Sequence, residues 1–264
     1  MKQLLFILSL LSLFACNNAK QVVKYTQQQV LVKDDTCQTN DCTTVNFKYI
    51  RFEGMAADSL NKIVQEMIGS SYFNDSFVVY APKENAEKFI AVYRESRDEF
   101  PDHAAVWTLD KDLRVDTIFK NVITLRYDES SFAGGAHGNY YTQFNHFQLK
   151  PFKVLWLADF LNQPQDTFQV IKIAESVFRE QQKLGAYDDL EEAGFFFEKG
   201  IFRLNENFHF TDKGIEFHFN IYEIQPYANG EYGLLIPYKK VEHLINKKIL
   251  QPFNTSNLVT SIFQ

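Results

Sequence analysis

Phe208-His209-Phe210-Thr211-Asp212-Lys213-Gly214-Ile215-Glu216-Phe217-His218-Phe219 reads as a β-hairpin, and that reading decides the class of fold. Phe208 and Phe210 face one way, as do Ile215, Phe217 and Phe219, so a period of two gathers the apolar rings on one side. Asp212-Lys213-Gly214 supplies the turn, with Gly214 able to take a positive φ. If Lys213 and Gly214 form a two-residue turn, His209 falls opposite His218, on the face away from the phenylalanines. Opposed histidines can hold zinc or copper, which makes His209 and His218 candidate metal ligands. No third ligand is evident, and the alternative is a solvated face.

Around the hairpin, strands and helices mix without strict βαβ alternation. Leu234 to Tyr238 reads as a buried strand and Tyr238 to Leu250 as a closing helix, with Tyr222 to Tyr227 extended between. Upstream, Asp166 to Leu184 carries Phe168, Ile171, Ala174, Val177 and Phe178 at helical spacing. Asn139 to Leu149 is a strand with Tyr141, Phe147 and Leu149 in phase, and a short helix covers Leu155 to Leu161. Ala104 to Leu109 and Phe119 to Tyr127 are two further strands. Lys83 to Phe100 is a helix with Pro82 at its first turn. Ala57 to Ile68 is another, with Asp58 or Ser59 at its cap, and Val45 to Phe52 is a strand. The class is α+β, with largely antiparallel sheets packed by helices in two small consecutive subdomains, 37–130 and 131–250, and a tail at 251–264.

The amino-terminal end carries a different message. Lys2 is followed by an almost wholly apolar run, Leu4 to Phe14. That suits an export signal and falls short of the roughly 20 residues of a spanning helix. Leu13-Phe14-Ala15-Cys16 is similar to the bacterial lipobox, although Phe14 is bulkier than its usual residue. The similarity implies a signal peptide at 1–15 and lipidation of Cys16, with 16–36 as anchor and polar, Gln-rich tether. The alternative is an ordinary signal cut near Ala15 or Ala19. Either way the chain is exported. The lipid form places it on a bacterial membrane, periplasmic or outer-membrane face. Cys37 and Cys42 then remain, most simply as a disulfide outside the cytoplasm, the alternative being half of a metal site. The net charge of −6 provides no basic block for nucleic acid.

Three blocks carry a family resemblance. The first is Gly134-Gly135-Ala136-His137-Gly138-Asn139 with Phe147 to Lys150 and Leu155 to Phe160. The second is Phe208 to Phe217 with Tyr222 to Gly230, and the third is Leu235-Ile236-Pro237-Tyr238. In this order they resemble the paired extracytoplasmic domains of RsiV-type anti-sigma factors, which also precede the catalytic domain of PdaC-type peptidoglycan deacetylases. The resemblance implies recognition of lysozyme-like proteins or of peptidoglycan and other cell-wall glycans. It implies neither catalysis nor a cofactor, because no Asp-Asp with His-x-x-x-His metal set follows.

Gly134, Gly135, His137, Gly138, Asn139 and Tyr140 are the ligand-binding candidates. Glycines let backbone amides approach a ligand, and a histidine among them can hydrogen-bond a carboxylate or sugar. The alternative is a turn in which His137 satisfies a nearby carbonyl. Tyr140, Tyr141 and Phe132 could stack on sugar rings or fill a core. A peptidoglycan hydrolase or deacetylase using His137 is the competing function. The acid pair Asp188-Asp189 is a weaker candidate for glycosidase chemistry. His103, His146 and His243 read as structural or exposed.

Overall fold

The computed structural model describes residues 23–38, 42–73, 78–101 and 105–250. The signal, the lipidation site Cys16, His103 and the tail at 251–264 lie outside the described residues.

A six-stranded sheet comes first. It consists of β1 (Lys24–Lys33), β2 (Thr44–Glu53), β3 (Thr108–Phe119), β4 (Val122–Phe132), β5 (Asn139–Leu149) and β6 (Phe152–Leu155), in that spatial order. All neighbours are antiparallel except β2 and β3. That one parallel pair needs a crossover, supplied by α1 (Ala57–Gly69) and α2 (Pro82–Glu99). Leu60, Val64 and Ile68 of α1 and Ala86, Phe89 and Ile90 of α2 bury their apolar stripes against Phe47, Leu113, Leu125 and Phe147 of the sheet. Pro82 occupies the first turn of α2 as its missing N–H allows. The α1 cap is neither Asp58 nor Ser59: Ala56 at φ 58° makes the turn, without a side-chain bond.

The second sheet is β7 (Phe208–Phe210), β8 (Gly214–Phe219) and β9 (Tyr232–Pro237), antiparallel throughout. α3 (Thr167–Gln182) lies over it. Val170, Ala174 and Phe178 meet Phe208, Phe217, Phe219, Leu234 and Ile236 in a second core. Phe168, expected on that buried stripe, is 73% exposed, because Val170 takes the inward place. The closing helix is broken into α4 (Tyr238–Val241) and α5 (Lys247–Leu250). Between them Ile245 bridges to Leu161, with Asn162 N–H donating to Leu244 and Asn246 N–H to Phe160, and this pairing excludes helix.

Four further expectations are corrected. Residues 24–33, assigned to a tether, form the edge strand β1; its polar side chains are those of a solvated rim, and its backbone pairs with β2 along ten residues. The strand after α2 begins at Thr108 and continues through Asp110-Lys111-Asp112-Leu113-Arg114 into a long hairpin closed at Lys120-Asn121. A division at 130/131 cuts β4, which pairs with β5 from Asn139 to Gln148; the six-stranded sheet continues to Leu155. Tyr222 to Tyr227 is a turn leading into a single 3₁₀ turn at Tyr227–Asn229, with Tyr222 at φ 66°.

Cys37 and Cys42 form a disulfide with Cα atoms 5.8 Å apart, so neither offers a thiol to a metal. Beside them Asp34, almost fully buried, pairs with Arg94 at 2.7 Å and Arg97 at 3.3 Å, fastening the β1–β2 loop to α2.

Candidate functional site

The site grows from an alternation. In β3, Leu109, Lys111 and Leu113 point to the helices, so Asp110, Asp112 and Arg114 must point to the other face. In β4 and β5 the same rule puts Arg126, Asp128, Thr142 and Phe144 beside them, since Arg126 pairs with Phe144 and Asp128 with Thr142. This charged face carries the second sheet at one end. The His209 ring stacks on Phe144 at 4.2 Å and 8°, and His218 approaches the same ring edge-on.

At the other end the face is roofed by residues 221–231, leaving a groove of about 670 Å³. Asp110, Asp112 and Lys48 form its floor, Tyr140 and Tyr141 one wall, and Tyr227 and Glu231 belong to its roof. The roof is held through the candidate loop. His137 lies against the Tyr227 ring at 3.7 Å, its Nε2 is 3.3 Å from the Tyr222 hydroxyl, and the Tyr227 hydroxyl donates to the Gly138 carbonyl at 3.1 Å. The first and second sequence blocks therefore meet in space.

Asp128 anchors the floor. Burial pushes its pKa up, but Arg126, Thr142 and Arg114 outweigh burial and hold it below the usual carboxylate range. Arg114 reaches it at 2.6 Å and the Thr142 hydroxyl donates at 2.8 Å. Behind the groove, Glu129 accepts the Tyr127 hydroxyl at 2.5 Å and stands 3.8 Å from the Lys111 ammonium. Burial lowers the Lys111 pKa while the Glu129 charge opposes that shift. The ammonium also donates to the carbonyls of Ile68 and Ser70 at the end of α1, which fixes it as a helix cap. Burial, then the charges of Glu223 and Glu129, raise the Tyr141 pKa and keep its hydroxyl protonated.

Of the six candidates, Tyr140 lines the groove and His137 and Gly138 fasten its roof. Gly134 and Gly135 take φ 86° and 93° in an exposed loop, and Asn139 begins β5 at the surface. His137 Nδ1 lies 3.1 Å from the Gly138 carbonyl, and no carboxylate is bonded to the ring among the described contacts. Tyr141 is in phase with Phe147, as expected, but at the end of β5 it stands partly out, against Tyr127 and at the groove wall.

The metal pair fails on register. Phe210 opposes Ile215, so the two-residue turn is Asp212-Lys213 and His209 lies opposite Glu216. Gly214 does not adopt positive φ. A Cβ there would lie 2.1 Å from the Ile236 carbonyl, so this glycine serves close approach of β9. The two histidines are spent elsewhere: His209 between Asp116 at 3.9 Å and Glu216 at 3.7 Å, His218 3.6 Å from Glu231. Burial lowers the His209 pKa against the pull of both carboxylates. Among the described residues, no group of three His, Cys, Asp or Glu side chains is placed to hold a metal. Asp188 and Asp189 accept backbone N–H groups of their own turn, from Gly185 and from Glu191 and Glu192.

Sequence reasoning missed two asparagines. β6 covers β5 only from His146 onward, which leaves the rim at Thr142 to Phe144 bare. Asn207 accepts from Phe144 N–H at 2.9 Å and donates to the Thr142 carbonyl at 2.7 Å. Asn220 accepts from Thr142 N–H at 2.7 Å and donates to the same carbonyl at 3.1 Å. Both carboxamides imitate the neighbouring strand, and no periodicity announces them.

Comparison with known proteins agrees with this fold. Residues 36–140 match the family model described as deacetylase PdaC, and residues 158–239 match that of a protein of unknown function, DUF3298. The fold is similar to that of a DUF3298 family member from Bacteroides fragilis, with TM-score 0.66 and 20% identity over 89% of this chain and 98% of that one. A DUF3298 family protein from Pseudomonas aeruginosa PAO1 gives TM-score 0.62 and 19% identity over 87% and 97%. No curated protein matches the chain.

Proposed function

Since the chain carries a PdaC-type segment followed by a DUF3298-type segment, we propose that it is a binding module of the bacterial cell envelope whose groove takes cell-wall glycan. One observation carries this reading: both segments build the groove, the first giving its charged floor and Tyr140 of its wall, the second its roof. An open cleft lined by charged side chains, with aromatic rings beside them, suits a ligand that offers hydroxyls in the plane of each ring and C–H groups on its faces. Retention of the full-length protein on purified peptidoglycan, and its loss in Tyr227→Ala, is the expected result; no retention removes the proposal.

A lysozyme-like protein is the second reading. Its support is the net charge of −6 and the carboxylates of the groove, which would meet a basic surface. A parallel pull-down with lysozyme decides between them. Both readings are of contact without bond cleavage. Turnover of acetylated muropeptides by wild type, lost in His137→Ala, would instead establish the enzyme.

We further propose export and a lipid on Cys16. Cys16→Ser should move the protein from the membrane to the soluble fraction. An unmodified Cys16 thiol in membrane-derived protein would sink the anchor.

A further inference from the structure

We infer that the groove reads positive charge, and that its ligand is a saccharide carrying free amino groups in place of acetylated ones. This rests on the glycan reading and narrows it to one class of sugar. The cavity makes the site; its side chains set the sign. Four carboxylates face it, Asp110, Asp112, Asp128 and Glu231, against the cations Lys48 and Arg126, while Glu129 and Lys111 turn to the face behind.

Their pairing is unequal. Asp128 and Arg126 satisfy each other through contacts of 3.0 Å. Glu129 and Lys111 face each other at 3.8 Å, with Lys111 committed to the end of α1. What remains is one-sided. Asp110 accepts from the neutral carboxamide of Asn46 at 3.2 Å and has no cationic partner among the described residues. Asp112 has only a 3.3 Å share of Arg114, whose closer contact is with Asp128. Glu231 on the roof stands 3.6 Å from His218, whose Nε2 is buried with no hydrogen-bond partner. Arg114 is divided between Asp112 and Asp128, and against Asp110 and Glu231 the groove sets Lys48 alone. The surplus is negative on floor and roof together, and Tyr140 in the wall and Tyr227 in the roof border the same space. Carboxylates above and below with aromatic rings alongside are the surroundings that stabilise an ammonium group, through charge-assisted hydrogen bonds and cation–π attraction. An acetamido group brings no charge to meet that surplus.

The test is calorimetric titration of the full-length protein with the β-1,4 hexamers of glucosamine and of N-acetylglucosamine, at about pH 6, where the amine is protonated. The glucosamine hexamer should bind at least tenfold more tightly in 50 mM NaCl, and its advantage should shrink in 500 mM NaCl. Asp110→Asn with Glu231→Gln should abolish the preference, whereas Glu191→Gln, in the distant acidic turn, should leave it intact. Equal or reversed affinities overturn the inference, as does a lysine hexamer that binds as tightly as the amino sugar. If neither sugar binds while peptidoglycan still retains the protein, the inference falls and the glycan reading stands. If peptidoglycan is not retained either, both fall.

Discussion

At the scale of single residues, His146 sets a pH limit on the fold. It is fully enclosed where the two cores meet, its Nδ1 2.9 Å from the Thr124 hydroxyl and its Nε2 2.9 Å from the Phe208 carbonyl. A neutral ring meets both, donating from Nε2 to the carbonyl and accepting the hydroxyl proton at Nδ1. Burial lowers its pKa to about 4, with the Phe208 carbonyl pulling the other way and His209 adding to the fall. An unfolded chain binds this proton near pH 6.5, so between about 6.5 and 4 the unfolded state holds more protons. Stability from this group is therefore intact above 6.5 and falls as pH drops, by about 3 kcal/mol at the lower end. Urea midpoints measured across this range should show the slope, and His146→Gln should flatten it; an unchanged slope in the variant refutes the assignment. Gly214 is the other decisive residue. Gly214→Ala forces its Cβ into the Ile236 carbonyl and should cost more than about 3 kcal/mol or prevent folding, as urea denaturation would show. Gly135→Ala meets no atom and bears only the strain of φ 93°, about 1 kcal/mol.

At the scale of elements, the asparagine caps on β5 behave as a missing strand. Removing one leaves backbone groups of Thr142 or Phe144 unpaired at a part-buried seam, so Asn207→Ala and Asn220→Ala should each cost about 1–3 kcal/mol. Amide exchange at those two residues should quicken before exchange elsewhere in β5; uniform protection in both variants would contradict the role. Legibility differs among elements for the same physical reasons. β5 and α2 were readable nearly to the residue, because Leu149 closes an alternating run and Pro82 marks a first turn. The hairpin was readable but its register was not, since Gly214 can answer either to a turn or to a crowded neighbour. β1 and β3 were obscured by their own chemistry. A rim strand of glutamines resembles a tether, and Asp110-Lys111-Asp112 resembles a loop until its alternate side chains are known to line a groove. The groove itself was legible only at Tyr140 and Tyr141 and, indirectly, at His137. Its floor is assembled from three strands, and that assembly is a matter of register.

At the scale of the whole molecule, two cores are joined through few but specific contacts. Phe144 lies between Arg126 at 5.4 Å and the His209 ring, and His146 reaches across to Phe208. Heat should unfold the wild type in one transition. Phe144→Ala removes the central ring and should separate the two sheets into two calorimetric transitions; a single transition in that variant would show that the coupling lies elsewhere. The asparagine seam also has a kinetic consequence. Asn207 and Asn220 follow the backbone positions they cover by 63 to 78 residues. A chain emerging amino end first completes the larger sheet while its finishing pieces have yet to emerge. For that interval the rim at Thr142 to Phe144 stands open to any passing extended segment. Slowing the chain's emergence on the folding side between these points should raise the fraction lost to aggregation, and a faster passage should lower it.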